Sequence, residues 1–141
     1  MGVSSWKRAV DFSGPHAMLA VVVFVLEVLI ATRVAHVSWI RAYLGDVLVV
    51  VLLYAAVRSV VRVNHFALLL AVFVFACSIE LAQYFRLAER LGYARGEMLH
   101  TVIGNTFSWG DIGCYALGCA LTALTVLACQ RLFAARQRAA A

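Results

Sequence analysis

The chain has 141 residues, 65% of them hydrophobic and only 13% charged, where an ordinary soluble domain has roughly 45–50% and 25%. Its net charge of +5 comes from twelve Lys and Arg against seven Asp and Glu. So few charges cannot cover a soluble domain of this size, which excludes a cytosolic globular protein, a disordered chain and a disulfide-stapled secreted module and leaves an integral membrane protein.

Residues 1–14 form a polar lead with Lys7 and Arg8. The lead is like a signal-peptide start, but the apolar run at 17–32 is long, holds Glu27 and has no clear small-x-small cleavage site. It reads as a retained first span, about 16–33, with Pro15 in its first turn. The second span is expected at about 39–62. Its uninterrupted core, 47–57, is too short to cross ~30 Å of hydrocarbon, so the helix must run on through Asp46 toward Trp39. Arg58 and Arg62 lie one helical turn apart and can snorkel to the interface. The third span, about 66–86, carries Glu80 and Gln83 near its end. In the one sizeable loop, 86–111, Met98, Leu99, Val102 and Ile103 repeat at i, i+1, i+4, i+5, which predicts a short interfacial or re-entrant helix at about 95–104. The fourth span is expected at about 110–131. The fold class is therefore all-α: one polytopic transmembrane domain of four spans plus that short helix. The four cysteines (Cys77, Cys114, Cys119, Cys129) form no CxxC pair and read as small packing residues.

The arginines punctuate the apolar runs, as span boundaries do, rather than forming a nucleic-acid-binding face. With four spans, Lys7, Arg8, Arg58, Arg62, Arg131, Arg136 and Arg138 share one side and Arg33, Arg41, Arg86, Arg90 and Arg95 the other. Seven against five favours cytoplasmic termini. The expected location is the bacterial inner membrane.

This topology places three acids at one depth. Glu27 is six residues before Arg33, Asp46 seven after Trp39 and Glu80 six before Arg86. At 1.5 Å per residue, each carboxylate lies ~9–10 Å below the outer interface. A carboxylate in hydrocarbon costs roughly 2.5 kcal/mol or more and turns inward to a partner. If the four spans share one interior, these groups meet in an outward-facing polar pocket, with Ser108, Trp109 and Asp111 at its mouth and arginines on its rim. Plainer roles fit the same residues. Asp46 can pair with Arg41, and Glu80 with Gln83 can be inter-helix glue. Ser108-x-x-Asp111 has the spacing of a capping box. Trp39 and Trp109 suit an interfacial belt, and Cys114, Gly118 and Thr122 a packing stripe or dimer face. His16 and His65 share the cytoplasmic side, where interfacial histidines are common. His36 and His100 lie on the outer side, and His100 is a further candidate for the pocket.

Three separated segments carry a family resemblance: Tyr43-Leu44-Gly45-Asp46, Ile79-Glu80-Leu81-Ala82-Gln83, and Gly104-x-x-Phe107-Ser108-Trp109-Gly110-Asp111-x-x-x-Tyr115. Over residues 34–124 the chain resembles the bacterial membrane proteins catalogued as domain of unknown function family 2809. Residues 79–83 and 104–111 also resemble the VanZ-like proteins, named for a teicoplanin-resistance accessory factor. The resemblance implies a fold and a motif set but no reaction. The binding residues expected on all these grounds are Glu27, Arg33, Arg41, Tyr43, Asp46, Glu80, Gln83, Arg86, Ser108, Trp109, Asp111 and Tyr115.

The first reading of function is a non-enzymatic envelope protein whose pocket takes an anionic lipid or a glycan-bearing headgroup, with membrane lipid as its surroundings. The second is an accessory or structural subunit of a larger membrane complex, or a homo-oligomer. A transporter is disfavoured by the apolar inner halves of the spans. An enzyme is disfavoured because no nucleophile elbow, HExxH motif or phosphate loop occurs. No cofactor, bound metal or nucleic-acid partner is expected.

Overall fold

A computed structural model describes residues 11–33, 38–90, 92 and 107–140, without the side chains of 38–42 and 88–89. It contains α1 (Gly14–Arg33), α2 (Ser38–Val60), α3 (His65–Tyr84), the single turn α4 (Leu87–Arg90) and α5 (Trp109–Ala139). Four of these, α1, α2, α3 and α5, are each long and apolar enough to cross a membrane. The protein is a multi-pass, all-helical membrane protein. The helix expected at about 95–104 lies outside the described residues.

Local chemistry sets the helix ends. Asn64 caps α3, its side chain accepting hydrogen bonds from the Phe66 and Ala67 amides. Arg86 takes a left-handed backbone conformation (φ 49°) just after α3 and turns the chain away. Ser108 caps α5 with extended backbone. At 31 residues, α5 is about 46 Å long. It runs past its expected end at 131 and carries Arg136 and Arg138 beyond the hydrocarbon.

The spans alternate in direction. The start of α1, the end of α2 and the start of α3 meet at what we term the proximal end. The end of α1, the starts of α2 and α5, and the end of α3 lie at the distal end. The four spans do not share one interior. α2, α3 and α5 pack on one another, whereas α1 packs on α2 alone among the described helices. The core is Val50, Tyr54, Leu68, Leu69, Val72, Ala76 and Tyr115, and α1 buries only Val23. The tightest crossing is at Gly118, where a Cβ would come within 2.8 Å of the Val47 carbonyl oxygen and 3.1 Å of Val50 Cβ. Thr122, one turn on, is buried and returns its hydroxyl to the Gly118 carbonyl. The small-residue stripe of α5 is thus a packing face against α2. The Cys119 thiol faces the Leu69 carbonyl at 3.7 Å.

Candidate functional site

The distal end concentrates the acidic side chains. Glu80 is the most completely buried of them, at 1% exposed. Its Oε1 accepts a hydrogen bond from the Tyr115 hydroxyl at 3.1 Å, and its Oε2 accepts one from the Ser108 backbone amide at 3.2 Å. Both partners are on or next to α5, so this carboxylate ties α3 to the N-terminus of that helix. The position suits a negative charge, because free amides and the helix dipole converge there.

Ser108 completes half of the expected capping box. Its Oγ accepts from the Gly110 and Asp111 amides at 3.1 and 3.4 Å. In the full box, the residue three positions on reaches back to the cap's own amide. Here Glu80 takes that amide from another helix, and the Asp111 carboxyl turns toward α2. It lies close enough to the Asp46 carboxyl for the two to act on each other electrostatically. Two linked carboxyl systems therefore lie side by side: Ser108–Glu80–Tyr115 across α3 and α5, and Asp46–Asp111 across α2 and α5.

A cavity of about 350 Å³ opens beside them, lined by Glu27, Ile30 and Ala31 of α1, Gly45, Asp46 and Val49 of α2, and Tyr115 of α5. Glu27 Oε1 is buried with no hydrogen-bond partner among the described residues. Because α1 stands outside the α2–α3–α5 core, the cavity lies between α1 and that core. Glu80 and Asp111 are not among its lining; Glu80 sits beyond Tyr115.

The other expected residues are distributed around this centre. Tyr43 is half exposed, and its ring packs over Gly110, where a Cβ would meet it at 3.1 Å. Trp109 is 78% exposed and stands edge-on to Phe107, whose ring meets Tyr84 in turn, with centroids 5.1 and 5.4 Å apart. These aromatics ring the distal end as an interfacial belt would. Gln83 is partly buried and gives its backbone carbonyl to the Arg86 amide. Arg33 is exposed at the end of α1. The Arg41 side chain and all of Arg95, His36 and His100 lie outside the described residues. Among the described residues, the ion pair is between Asp11 and Arg62, at the proximal end. No arginine among the described residues lines the distal cavity.

With that geometry in view, residues 35–119 match a family model described as "Protein of unknown function (DUF2809)". The chain belongs to this family. No curated protein and no solved structure matches it. The DUF2809 match takes in the whole carboxyl system from Asp46 to Tyr115, but not Glu27 or the rest of α1. Sequence reasoning missed the apolar walls Ile30, Ala31 and Val49, which carry no signal beyond their neighbours. It also missed the contact of the Tyr54 hydroxyl with His65 Nδ1, at 2.6 Å, at the proximal end.

Proposed function

We propose that this DUF2809 protein binds a glycan-bearing lipid headgroup in its distal cavity, without chemical conversion. One observation carries the reading: the cavity is lined by two carboxyl groups and a tyrosine, with one buried Glu27 oxygen left unpartnered. Carboxyl oxygens accept hydrogen bonds and sugar hydroxyls donate them, often two from adjacent carbons to one carboxylate. Phosphates want arginine forks instead. Of the two ligand classes expected for the pocket, the carboxyl oxygens of this lining favour the glycan. The arginine asymmetry favours cytoplasmic termini in a bacterial inner membrane, so the cavity opens outward. The VanZ-like motifs point the same way, to the cell envelope.

Ala31, exposed on the cavity wall, allows a direct test through Ala31→Cys. A membrane-impermeant maleimide added to intact cells should label this variant. In vesicles containing a glucosyl diacylglycerol, labelling should slow several-fold relative to vesicles of phosphatidylglycerol alone, and Asp46→Asn should remove the protection. Equal labelling in both lipids would refute the ligand class, and labelling only after lysis would refute the orientation.

The extension of α5 favours a second reading, a subunit of a larger assembly. Leu132 and Phe133 are each 64% exposed on a segment that projects past the span. Purification with a stoichiometric partner, lost on Phe133→Ser, would support it.

A further inference from the structure

The proximal end holds a larger cavity, about 620 Å³. It exists because α1 packs on α2 and not on α5, which leaves a cleft between α1 and α5 floored by α2. His16, Tyr54 and His65 line its outer part, and Leu19, Val51 and Leu121 line it deeper in. His16 and His65 sit in the first turns of α1 and α3, and Tyr54 is six residues from the end of α2. At 1.5 Å per residue, that puts all three within ~10 Å of the proximal face, with the apolar wall running toward the membrane centre. The cleft is polar at the interface and greasy below, the profile of a single lipid.

The polar part is held in place. The His16 Nδ1 is 2.7 Å from the Ser13 hydroxyl, and the His65 Nδ1 is 2.6 Å from the Tyr54 hydroxyl. The two imidazoles flank the Tyr54 ring, with centroids 6.3 and 6.2 Å away. Both hydrogen bonds use Nδ1, so each ring keeps its Nε2 edge for a ligand. Where the hydroxyl donates to Nδ1, Nε2 carries the hydrogen and is a donor. Arg58, one turn beyond Tyr54, is near enough to act electrostatically on His16, Tyr54 and His65. One of its terminal nitrogens donates to the Val61 carbonyl, while its Nε is buried with no partner among the described residues.

The charge around the mouth has one sign. Arg58, Arg62, Arg131, Arg136 and Arg138 belong to this end, and the one acid described there, Asp11, is already paired with Arg62. Two imidazole edges above an apolar slot, with the Arg58 charge nearby, match a phosphate with a hydrocarbon tail. We propose that the cleft is a binding site for one anionic phospholipid, its phosphate facing His16 and His65 within the field of Arg58 and one acyl chain lying between α1 and α5. This site is at the opposite end from the distal cavity and does not depend on that cavity's ligand.

Native mass spectrometry of the full chain in detergent tests it, with dioleoyl phosphatidylglycerol or dioleoyl phosphatidylcholine as the added lipid. The expected result is one retained phosphatidylglycerol per chain, favoured about fivefold over phosphatidylcholine, whose trimethylammonium group cancels the lipid's net charge beside the arginines of this end. The double variant His16→Ala/His65→Ala should lower retention of both lipids several-fold, since both carry the phosphate that the imidazoles face. Thr125→Trp, placing an indole in the slot from an exposed position on its α5 wall, should remove the retained lipid while helicity and melting stay as in the parent. Equal retention of the two lipids by the parent chain overturns the proposal. So does undiminished retention by a folded Thr125→Trp variant.

Discussion

The two ends of this molecule use similar polar groups in opposite ways. At the distal end, Glu80 bonds to Ser108 and Tyr115, which are 28 and 35 positions away in sequence. Those bonds close one helix on another and leave the carboxylate sealed. At the proximal end, Ser13 and His16 are three positions apart, and Tyr54 and His65 eleven apart across a short connection. These bonds orient rings without joining α1 to α5, and a cleft remains. The long-range side-chain bonds at the distal end close α3 on α5, whereas the side-chain bonds at the proximal end prepare a surface. Backbone bonds from Asp11 and Ser13 to Val60 and Ser59 hold the start of α1 to the end of α2.

If that contrast is right, the largest effect on stability comes from Glu80→Ala. It leaves two buried donors unsatisfied and a void between α3 and α5, a loss of about 3–4 kcal/mol. Arg136→Ala, in the exposed last turn of α5, should change stability by no more than about 0.5 kcal/mol. Melting both variants in the same detergent checks this, and equal melting would show that Glu80 holds nothing together. Gly118→Val comes next. Its added carbons meet the Val47 carbonyl, a backbone atom that cannot turn aside, so α2 and α5 must separate at about 2 kcal/mol. A cross-link between α2 and α5 near that crossing should weaken in step with melting. The smallest and sharpest comparison sets Tyr115→Phe against Tyr54→Phe. The first removes a buried bond to a carboxylate and should cost about 1.5–2 kcal/mol. The second removes a half-buried bond to an imidazole and should cost about 0.5–1 kcal/mol. A larger loss for Tyr54→Phe would reverse the assignment of the two ends.

Much of this was legible in the sequence, and for identifiable reasons. The number of spans follows from apolar run length, and the approach of Glu27 and Asp46 to one cavity from their spacing to Arg33 and Trp39, because helix rise is nearly constant. The stripe Cys114, Gly118, Thr122 announced a close helix contact. What could not be read was which helices meet. Every span is apolar on all sides, since lipid and protein interior make the same demand on a side chain, so hydrophobic pattern does not reveal a packing face. The expectation of one four-helix interior failed for that reason, and α1 lies outside. The Ser108-x-x-Asp111 spacing was likewise correct as a cap signal, yet blind to Glu80, which supplies the second half of the cap from 28 residues upstream.

That upstream position matters while the chain is being made. Glu80 leaves the ribosome well before Ser108 and Tyr115 do. An acid exposed to hydrocarbon costs up to about 2.5–3.5 kcal/mol on insertion scales, the figure for the bilayer centre, and both of its partners are still unsynthesised at that point. α3 is therefore a poor candidate to enter lipid alone. It is better placed to wait beside the insertion machinery until the start of α5 arrives, so that the two helices move into the bilayer as one hairpin with the carboxylate already enclosed.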